Sequence, residues 1–276
     1  MKVLLAVDST QQADEAARTV RDCFPKSDVE ILHVLDIEAV PHSHLSAYLI
    51  DRYHQRIRMR LQVEASRFLP KLLELFLRLT GRVRVLVREG PTADIILGTA
   101  SSLRPDLVVL GSRGLTEIQA RLLGGVSYRV AQEAVCPVLL IKHVLPCSPK
   151  MLLAVDRSKG TEQAVRFLET TTAFMSSRVI LLAVGQPRLD VQEYVSAVAS
   201  RLSVRNFNVE TRILQGDPAA TILQCARVER VDVIITGSRG LHGWLKQWLS
   251  GSVSRKIILH AEASVLIVHA QDAKEE

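Results

Sequence analysis

Short runs of aliphatic residues recur along the chain, and longer segments with amphipathic spacing separate them. Most of the runs are uninterrupted rather than alternating, which is typical of strands buried on both faces of a parallel sheet. The pattern therefore predicts an α/β fold in which each half contributes five strands and four helices. The runs lie at Val3–Val7, Val29–Val34, Val83–Val87, Leu107–Leu110 and Val138–Ile141, and again at Met151–Val155, Val179–Val184, Val209–Leu214, Val233–Thr236 and Val265–Val268.

Three segments of the first half return in the same order in the second half, which indicates a duplicated domain. We therefore predict two tandem doubly wound, Rossmann-like domains at residues 1–143 and 150–270, each a five-stranded parallel sheet flanked by helices. A connector with two prolines, Val144–Lys150, joins them. The matching pairs are LLAVDST and LLAVDRS from Leu4 and Leu152, DLVVLGSRGL and DVIITGSRGL from Asp106 and Asp232, and GGVS and GSVS from Gly124 and Gly251.

The helix signals also repeat between the halves. Ser9 or Thr10 is placed to cap the first helix of the first copy, and Ser158 has the same position in the second. Gly90 followed by Pro91 predicts a turn before the third helix, because proline is tolerated near the first helical turn. Gly216-Asp217-Pro218 predicts the same turn in the second copy.

The two copies differ by an insertion. The first-strand aspartates Asp8 and Asp156 are 148 residues apart, but Gly111 and Gly237 are only 126 apart, so the second copy is 22 residues shorter. The extra segment, around residues 41–79, is predicted as a loop followed by a long arginine-rich helix. Few aromatic residues interleave with its arginines, so a solvated helix face is favoured over a nucleic-acid surface.

Composition and charge narrow the function classes. The chain is 47% hydrophobic and 23% charged, with 35 lysines and arginines against 29 acidic residues, which is typical of a soluble globular protein with a modest preference for anionic ligands. No apolar stretch is long enough for a membrane span. The four cysteines form no Cys-x2-Cys pair, which favours a reducing cytoplasm. No metal site is predicted, because His42 and His44 have no third ligand nearby.

The repeated glycines indicate a ligand site. In an open parallel sheet, ligands bind beyond the carboxyl ends of the strands, where Asp8 and Gly111 are expected to lie. Glycine lets the backbone turn sharply and lets an anion approach closely. The segment Gly124–Ser127 then opens a helix whose free N–H groups favour a phosphate. Alternatively, these glycines serve only the geometry of their turns, the aspartates steady the turn or cap the helix, and the serines cap helices.

On these residues the chain resembles a tandem universal stress protein, over almost all of both halves. Nucleotide-binding members of that family carry a Gly-x2-Gly-x9-Gly-(Ser/Thr) pattern after the fourth strand. The first copy has Gly111, Gly114 and Gly124 at this spacing, but Gly125 replaces the hydroxyl residue. The second copy ends in Gly251-Ser252, with ten residues rather than nine after Gly240.

The resemblance implies that each copy binds ATP or a related adenine nucleotide, with Mg²⁺. Asp8 and Asp156 would contact the ribose or adenine, and the backbone of Val34 and Val184 would contact the adenine edge. The remaining implied nucleotide-binding residues are Gly111, Ser112, Arg113, Gly114, Gly124, Gly125, Val126 and Ser127 in the first copy, and Gly237, Ser238, Arg239, Gly240, Gly251, Ser252, Val253 and Ser254 in the second. The resemblance also implies antiparallel pairing of the two fifth strands within one chain, as a pseudo-dimer, and it allows a homodimer.

The expected function is nucleotide-dependent regulation of a stress response rather than catalysis. The chain has no Gly-x4-Gly-Lys-(Ser/Thr) loop, no nucleophile elbow and no adjacent acid–base pair. Two alternatives remain at this stage. One is a stress or scaffold protein of the same fold that binds no nucleotide, and the other is a slow ATP-hydrolysing enzyme.

Overall fold

A computed structural model describes residues 1–37, 47–77, 81–112, 124–174, 176–238 and 252–269, without the side chains of 47–54, 238 and 252. The first copy contains β1 (Lys2–Val7), α1 (Gln11–Cys23), β2 (Asp28–Leu35), α2 (Ala47–Glu74), β3 (Val83–Glu89), α3 (Thr92–Leu103), β4 (Leu107–Gly111), α4 (Gly125–Glu133) and β5 (Val138–Ile141). The second contains β6 (Met151–Val155), α5 (Lys159–Thr170), β7 (Arg178–Val184), α6 (Leu189–Val204), β8 (Asn208–Leu214), α7 (Pro218–Val228), β9 (Val233–Ser238), α8 (Ser252–His260) and β10 (Ser264–His269). The predicted α/β repeat is confirmed.

The two copies form one ten-stranded sheet in the order β3-β2-β1-β4-β5-β10-β9-β6-β7-β8. Neighbouring strands are parallel within each copy, whereas β5 and β10 are antiparallel, with Leu139 opposite Leu266. The predicted pairing of the fifth strands within the chain is therefore confirmed. Because this pairing joins an edge of each five-stranded sheet, both edges are covered by hydrogen bonds within one chain. Association of two chains stays a prediction.

Helices cover both faces of the sheet and create two apolar layers. Side chains from alternate strand positions enter opposite layers, as the twofold period of a strand requires. Leu5 packs in the layer with α1, α2, α5 and α6, whereas Leu4 packs in the layer with α3, α4, α7 and α8. Both leucines are fully buried, which accounts for the uninterrupted apolar runs in the sequence.

The helix starts repeat between the copies. Thr10 caps α1 by accepting a hydrogen bond from the Ala13 N–H, and Ser158 caps α5 in the same way from Thr161. The glycine before the third helix has a φ of +134° at Gly90, a conformation that glycine adopts at little cost. Both predicted caps are confirmed, and they position the first helix of each copy directly after the first strand.

The insertion in the first copy contains the predicted long helix. Helix α2 has 28 residues, whereas its counterpart α6 has 16. The helix packs on the sheet through Ala65, Leu69 and Leu72, and two turns before Ala65 its Arg58 forms an ion pair with Glu89 at the end of β3. The helix runs for about 42 Å at 1.5 Å per residue, which allows it to reach the carboxyl edge of the first-copy strands. The loop predicted at the start of this segment lies among residues 38–46, which are outside the described residues.

Candidate functional site

A cavity of about 250 Å³ lies at the carboxyl edge of the first-copy strands. It opens where β1 is flanked by β2 on one side and β4 on the other, which is the point where the order of strands along the sheet changes direction and ligands commonly bind. Helices α3 and α4 line it from one face and α2 from the other. The lining residues are Ala6–Ser9, Leu32–Val34, Asp36, Leu61, Glu64, Thr92, Ile96, Leu110, Gly111 and Gly124–Ser127.

Asp8 is held in one orientation at the base of this cavity. Its Oδ1 accepts hydrogen bonds from the Thr10 N–H at 3.0 Å and from the Thr10 hydroxyl. Thr10 in turn caps α1, so the carboxylate is part of the turn that starts this helix. Within the described part of the chain, Oδ2 of Asp8 has no hydrogen-bond partner. The aspartate can therefore steady its turn with one oxygen and accept from a ligand with the other.

Helix α4 begins at the cavity without a side-chain cap. Its N-cap is Gly124, which makes no side-chain hydrogen bond. The Gly124 N–H donates to the Ser112 carbonyl at 2.9 Å, and the first intrahelical bond runs from the Tyr128 N–H to the Gly124 carbonyl. The N–H groups between them belong to Gly125, Val126 and Ser127, and all three residues line the cavity. Uncapped N–H groups and the helix dipole together favour an anion here.

Ser127 has a structural contact that the sequence does not reveal. Its hydroxyl donates to the Gly111 carbonyl at 2.7 Å, and the corresponding Ser254 donates to the Gly237 carbonyl at 3.1 Å. Neither serine is an N-cap; each instead ties the helix before the fifth strand to the end of the fourth strand. With its proton used in this way, Ser127 offers a ligand its backbone N–H.

Close packing also restricts side chains at Gly111, which ends β4, and at Gly237, which precedes the last residue of β9. A Cβ at Gly111 would lie 3.0 Å from Cβ of Gln12. A Cβ at Gly237 would lie 2.2 Å from the carbonyl carbon of Gly160, which real structures do not tolerate. Helix α5 therefore approaches Gly237 too closely for a side chain, whereas a side chain at Gly111 would require Gln12 of α1 to shift by a few tenths of an ångström. By contrast, a Cβ at Gly125 would meet no heavy atom within 4 Å.

The cavity also contains residues that the sequence analysis missed. His33 of β2 is buried, its Nδ1 donates to the Val7 carbonyl at 2.9 Å, and its ring packs edge-on against Phe68 at 4.9 Å. The position of His33 inside an otherwise apolar strand was the sequence feature that could have identified it. Glu64 of α2 accepts a hydrogen bond from the Ser9 hydroxyl. Nothing in the sequence could indicate this contact, because it depends on how the inserted helix packs.

The charged side chains that line the cavity are all acidic in the described structure. They are Asp8, Asp36 and Glu64. Asp36 accepts a hydrogen bond from the Thr92 hydroxyl at 2.6 Å, which joins the end of β2 to the start of α3. This charge pattern suits the hydroxyl groups of a sugar better than phosphates, so the uncapped end of α4 is the part of the site that favours an anion.

The second copy repeats the positions but not their surroundings. Oδ1 of Asp156 accepts from the N–H and hydroxyl of Ser158 and from the Thr161 hydroxyl at 2.7 Å. Arg157, beside this aspartate, forms an ion pair at 2.9 Å with Asp190 near the start of α6. Asp156 is therefore more extensively bonded than Asp8. Val184 is the last residue of β7, and the corresponding Val34 lies near the end of β2. Ala183 occupies the position in the second copy that His33 has in the first.

Several predicted site residues lie outside the lining of the cavity or outside the described residues. Ser112 directly follows β4, is 1% exposed and does not line the cavity. Val253 and Ser254 lie in the first turn of α8, while Ser238 and Ser252 are described by backbone alone. The residues outside the described ranges are Arg113, Gly114, Arg239, Gly240 and Gly251, together with His42 and His44.

In the described ranges, no helix is both long and apolar enough to span a bilayer. No cluster of three or more metal-ligating side chains occurs in the same ranges.

Comparisons with known proteins point to a single family. Universal stress protein YxiE of Bacillus subtilis is 28% identical over 51% of this chain and 98% of its own length. A universal stress protein of Thermus aquaticus is 30% identical over 51% of this chain and 97% of its own length. The solved structure of a universal stress protein from Archaeoglobus fulgidus aligns over 100% of this chain and 97% of its own, with a TM-score of 0.74 and 19% identity.

Some solved universal stress proteins that match half of the chain or slightly less have a bound nucleotide. One from Arabidopsis thaliana contains AMP, with 22% identity, a TM-score of 0.36 and coverage of 46% of this chain and 95% of its own. Another contains cAMP, with 20% identity, a TM-score of 0.38 and coverage of 45% of this chain and 98% of its own. A sequence model of the universal stress protein family matches residues 1–142 and 189–269. This match extends over both copies, and the chain belongs to the universal stress protein family.

Proposed function

We propose that this protein binds an adenine nucleotide in the first-copy cavity and uses it as a regulatory ligand. The observation that carries the proposal is the cavity itself. It brings Asp8, Val34 and Gly111 to one place with the uncapped start of α4. These are the groups for which the resemblance to nucleotide-binding universal stress proteins implies contacts with the base, the ribose and the phosphates.

The orientation of the nucleotide follows from charge. The adenosine lies over the ends of β1 and β2, where Oδ2 of Asp8 accepts from a ribose hydroxyl. The phosphates lie at the N–H groups of Gly125 and Val126, where the helix dipole favours them. Because Asp36 and Glu64 also line the cavity, additional phosphates bring repulsion unless a cation accompanies them. Mg²⁺ therefore enters with a polyphosphate rather than at a site of its own, and it strengthens the binding of ATP more than that of AMP.

Calorimetric titration of the full chain with AMP, ATP and cAMP, with and without Mg²⁺, tests the proposal. Val126→Asp is the most informative variant. Val126 is 36% exposed at the start of α4, where an acidic residue stabilises the helix but repels a phosphate. We expect a loss of affinity of about ten-fold or more. The matched control, Val253→Asp, makes the same change in the second copy.

Comparison of the two variants also shows which copy binds the nucleotide more tightly. If the first copy holds the nucleotide, Val126→Asp weakens binding and Val253→Asp leaves the tighter binding event unchanged. We propose that the second copy binds more weakly, because Asp156 is engaged by three donors and Arg157 is paired with Asp190. Unchanged binding in Val126→Asp would contradict the proposed location of the phosphates.

A scaffold without nucleotide is the second candidate, and one observation favours it. Gly111 and Gly237 are both explained by close packing of the first helix, so these glycines do not by themselves require a ligand. If none of the three nucleotides produces heat at millimolar concentration, the scaffold function replaces the nucleotide-binding one. We propose binding without turnover, so incubation with ATP and Mg²⁺ should release no ADP. The four free thiols support a reducing cytoplasm as the proposed location.

A further inference from the structure

The connector between the two copies is fastened to the end of helix α1. The Leu145 N–H donates to the Thr19 hydroxyl at 3.1 Å, and the Leu145 side chain is 1% exposed in the same apolar layer as α1. The first residues of the connector therefore have a fixed position against the helix. This contact brings two cysteines together that are far apart in the chain.

Each of these cysteines contacts the backbone next to the other. The Cys23 sulfur lies 3.4 Å from the Pro146 carbonyl oxygen, immediately before Cys147. The Cys147 sulfur lies 3.6 Å from the Asp22 carbonyl oxygen, immediately before Cys23. Each of these carbonyl groups belongs to the short, planar peptide unit that leads to the Cα of the other cysteine. Each sulfur therefore lies close to the backbone of the other cysteine. A disulfide requires this mutual approach of two backbones.

The two thiols differ in how accessible they are. Cys147 is exposed, whereas Cys23 is 3% exposed. Burial raises the pKa of the Cys23 thiol to about 12, so this thiol stays protonated near neutral pH. The remaining cysteines, Cys136 and Cys225, are buried in the other apolar layer, on the opposite face of the sheet. An oxidant in solution therefore meets Cys147 first.

We propose that Cys147 and Cys23 form a thiol-oxidation site whose substrate is a hydroperoxide and whose product is an intramolecular disulfide. In the first step the Cys147 thiolate attacks the peroxide, an S–O bond forms and the O–O bond breaks. The product is a sulfenic acid, and hydroxide leaves when the oxidant is hydrogen peroxide. In the second step the Cys23 sulfur attacks the Cys147 sulfur, the S–S bond forms, and water leaves with the Cys23 proton.

The disulfide closes the first copy into a ring and locks the connector onto α1. Cross-links that close long loops restrict the unfolded chain most, so oxidation raises the melting temperature of the protein. The α1 helix that becomes locked is capped at its start by Thr10, which donates a hydrogen bond to Asp8 of the cavity. The proposal does not depend on nucleotide binding, since its contacts lie at the other end of this helix.

Peptide mapping of the full wild-type chain tests the proposal directly. The protein is treated with hydrogen peroxide, its remaining thiols are blocked with N-ethylmaleimide, and it is then digested and analysed by mass spectrometry. We expect a linked peptide pair containing Cys23 and Cys147 that dithiothreitol separates. We also expect a higher melting temperature that returns to its original value on reduction.

Variants separate the two steps. In Cys23→Ser, oxidation stops at the sulfenic acid of Cys147, which dimedone captures. A variant with both Cys136→Ser and Cys225→Ser keeps the linked peptides and is the matched control. The proposal is wrong if the wild type gives dimers joined through Cys147, or sulfinic acid at Cys147, while Cys23 still reacts with N-ethylmaleimide after unfolding. Because the wild-type result decides the question, a variant that fails to fold does not obscure it.

Discussion

Replacing Gly125 by serine restores the hydroxyl that the family pattern has at this position, and it offers a quantitative test of the nucleotide site. Gly125 is the first residue of α4, directly after the N-cap Gly124, and it is exposed at the cavity. A Cβ placed there meets no heavy atom within 4 Å. The substitution therefore adds a donor beside the proposed phosphate position without disturbing the packing.

The expected magnitude comes from one charge-assisted hydrogen bond. Such a bond contributes roughly 1.5–3 kcal/mol, which corresponds to about a ten- to hundred-fold gain in affinity for a phosphorylated nucleotide. Gly125→Ala is the matched control, because both variants remove the flexibility of glycine from the helix. That change stabilises the fold by up to about 1 kcal/mol. The ratio of the two variants' affinities therefore isolates the hydroxyl from the backbone effect.

Calorimetric titration with AMP and with unphosphorylated adenosine provides the assay. We expect Gly125→Ser to bind AMP more tightly than Gly125→Ala does, and the two variants to bind adenosine equally. Equal AMP affinities would refute the placement of the phosphate at the start of α4. An equal gain for adenosine would show that the hydroxyl contacts the nucleoside instead, and the proposed orientation would have to be reversed.

Three further predictions concern the stability of the two copies. Gly237→Ala should destabilise the second copy by about 1–3 kcal/mol or more in chemical denaturation, since its Cβ would lie 2.2 Å from a carbonyl carbon of α5. Thr10→Ala should cost about 1 kcal/mol through loss of the α1 cap, whereas Thr10→Ser should retain most of the stability. Hydrogen bonds from Lys150 and Arg212 lower the pKa of Glu229 from 4.5 to about 2. This contribution to stability is therefore complete above pH 4.5 and is lost as the pH falls towards 2, and an acid titration of Glu229→Gln should show a weaker pH dependence over that range.

Hydrophobic patterns predict the buried parts of the strands more accurately than their ends. The apolar runs at Val138–Ile141 and Met151–Val155 coincide with β5 and β6. Strand β2 begins one residue earlier than its run, at Asp28, because Lys2 of β1 is its partner in the ladder. Hydrophobicity identifies the part of a strand that is buried, whereas pairing with a neighbour decides where the strand ends.

Some residues of the candidate site could be identified from the sequence, and others only from the structure. Asp8 and Gly124 could be identified from sequence, because a strand, a turn and a helix start are local features with their own residue preferences. Glu64 could not, because it reaches the cavity only through the packing of α2. The structural hydrogen bond of Ser127 was also hidden, since its acceptor Gly111 lies 16 residues earlier in the chain.

The sequence by itself determined the duplication, the order of strands and helices in each copy, and the position of Asp8 and Gly111 at the carboxyl edge of the sheet. Each of these follows from periodicity and turn chemistry within short windows, or from comparing one half of the chain with the other. Only the tertiary structure decided the walls of the cavity, the packing of α1 against Gly111, and the contact between Cys23 and Cys147. Those features join residues far apart in the chain, and which residues meet is set by how helices and sheet pack together as a whole.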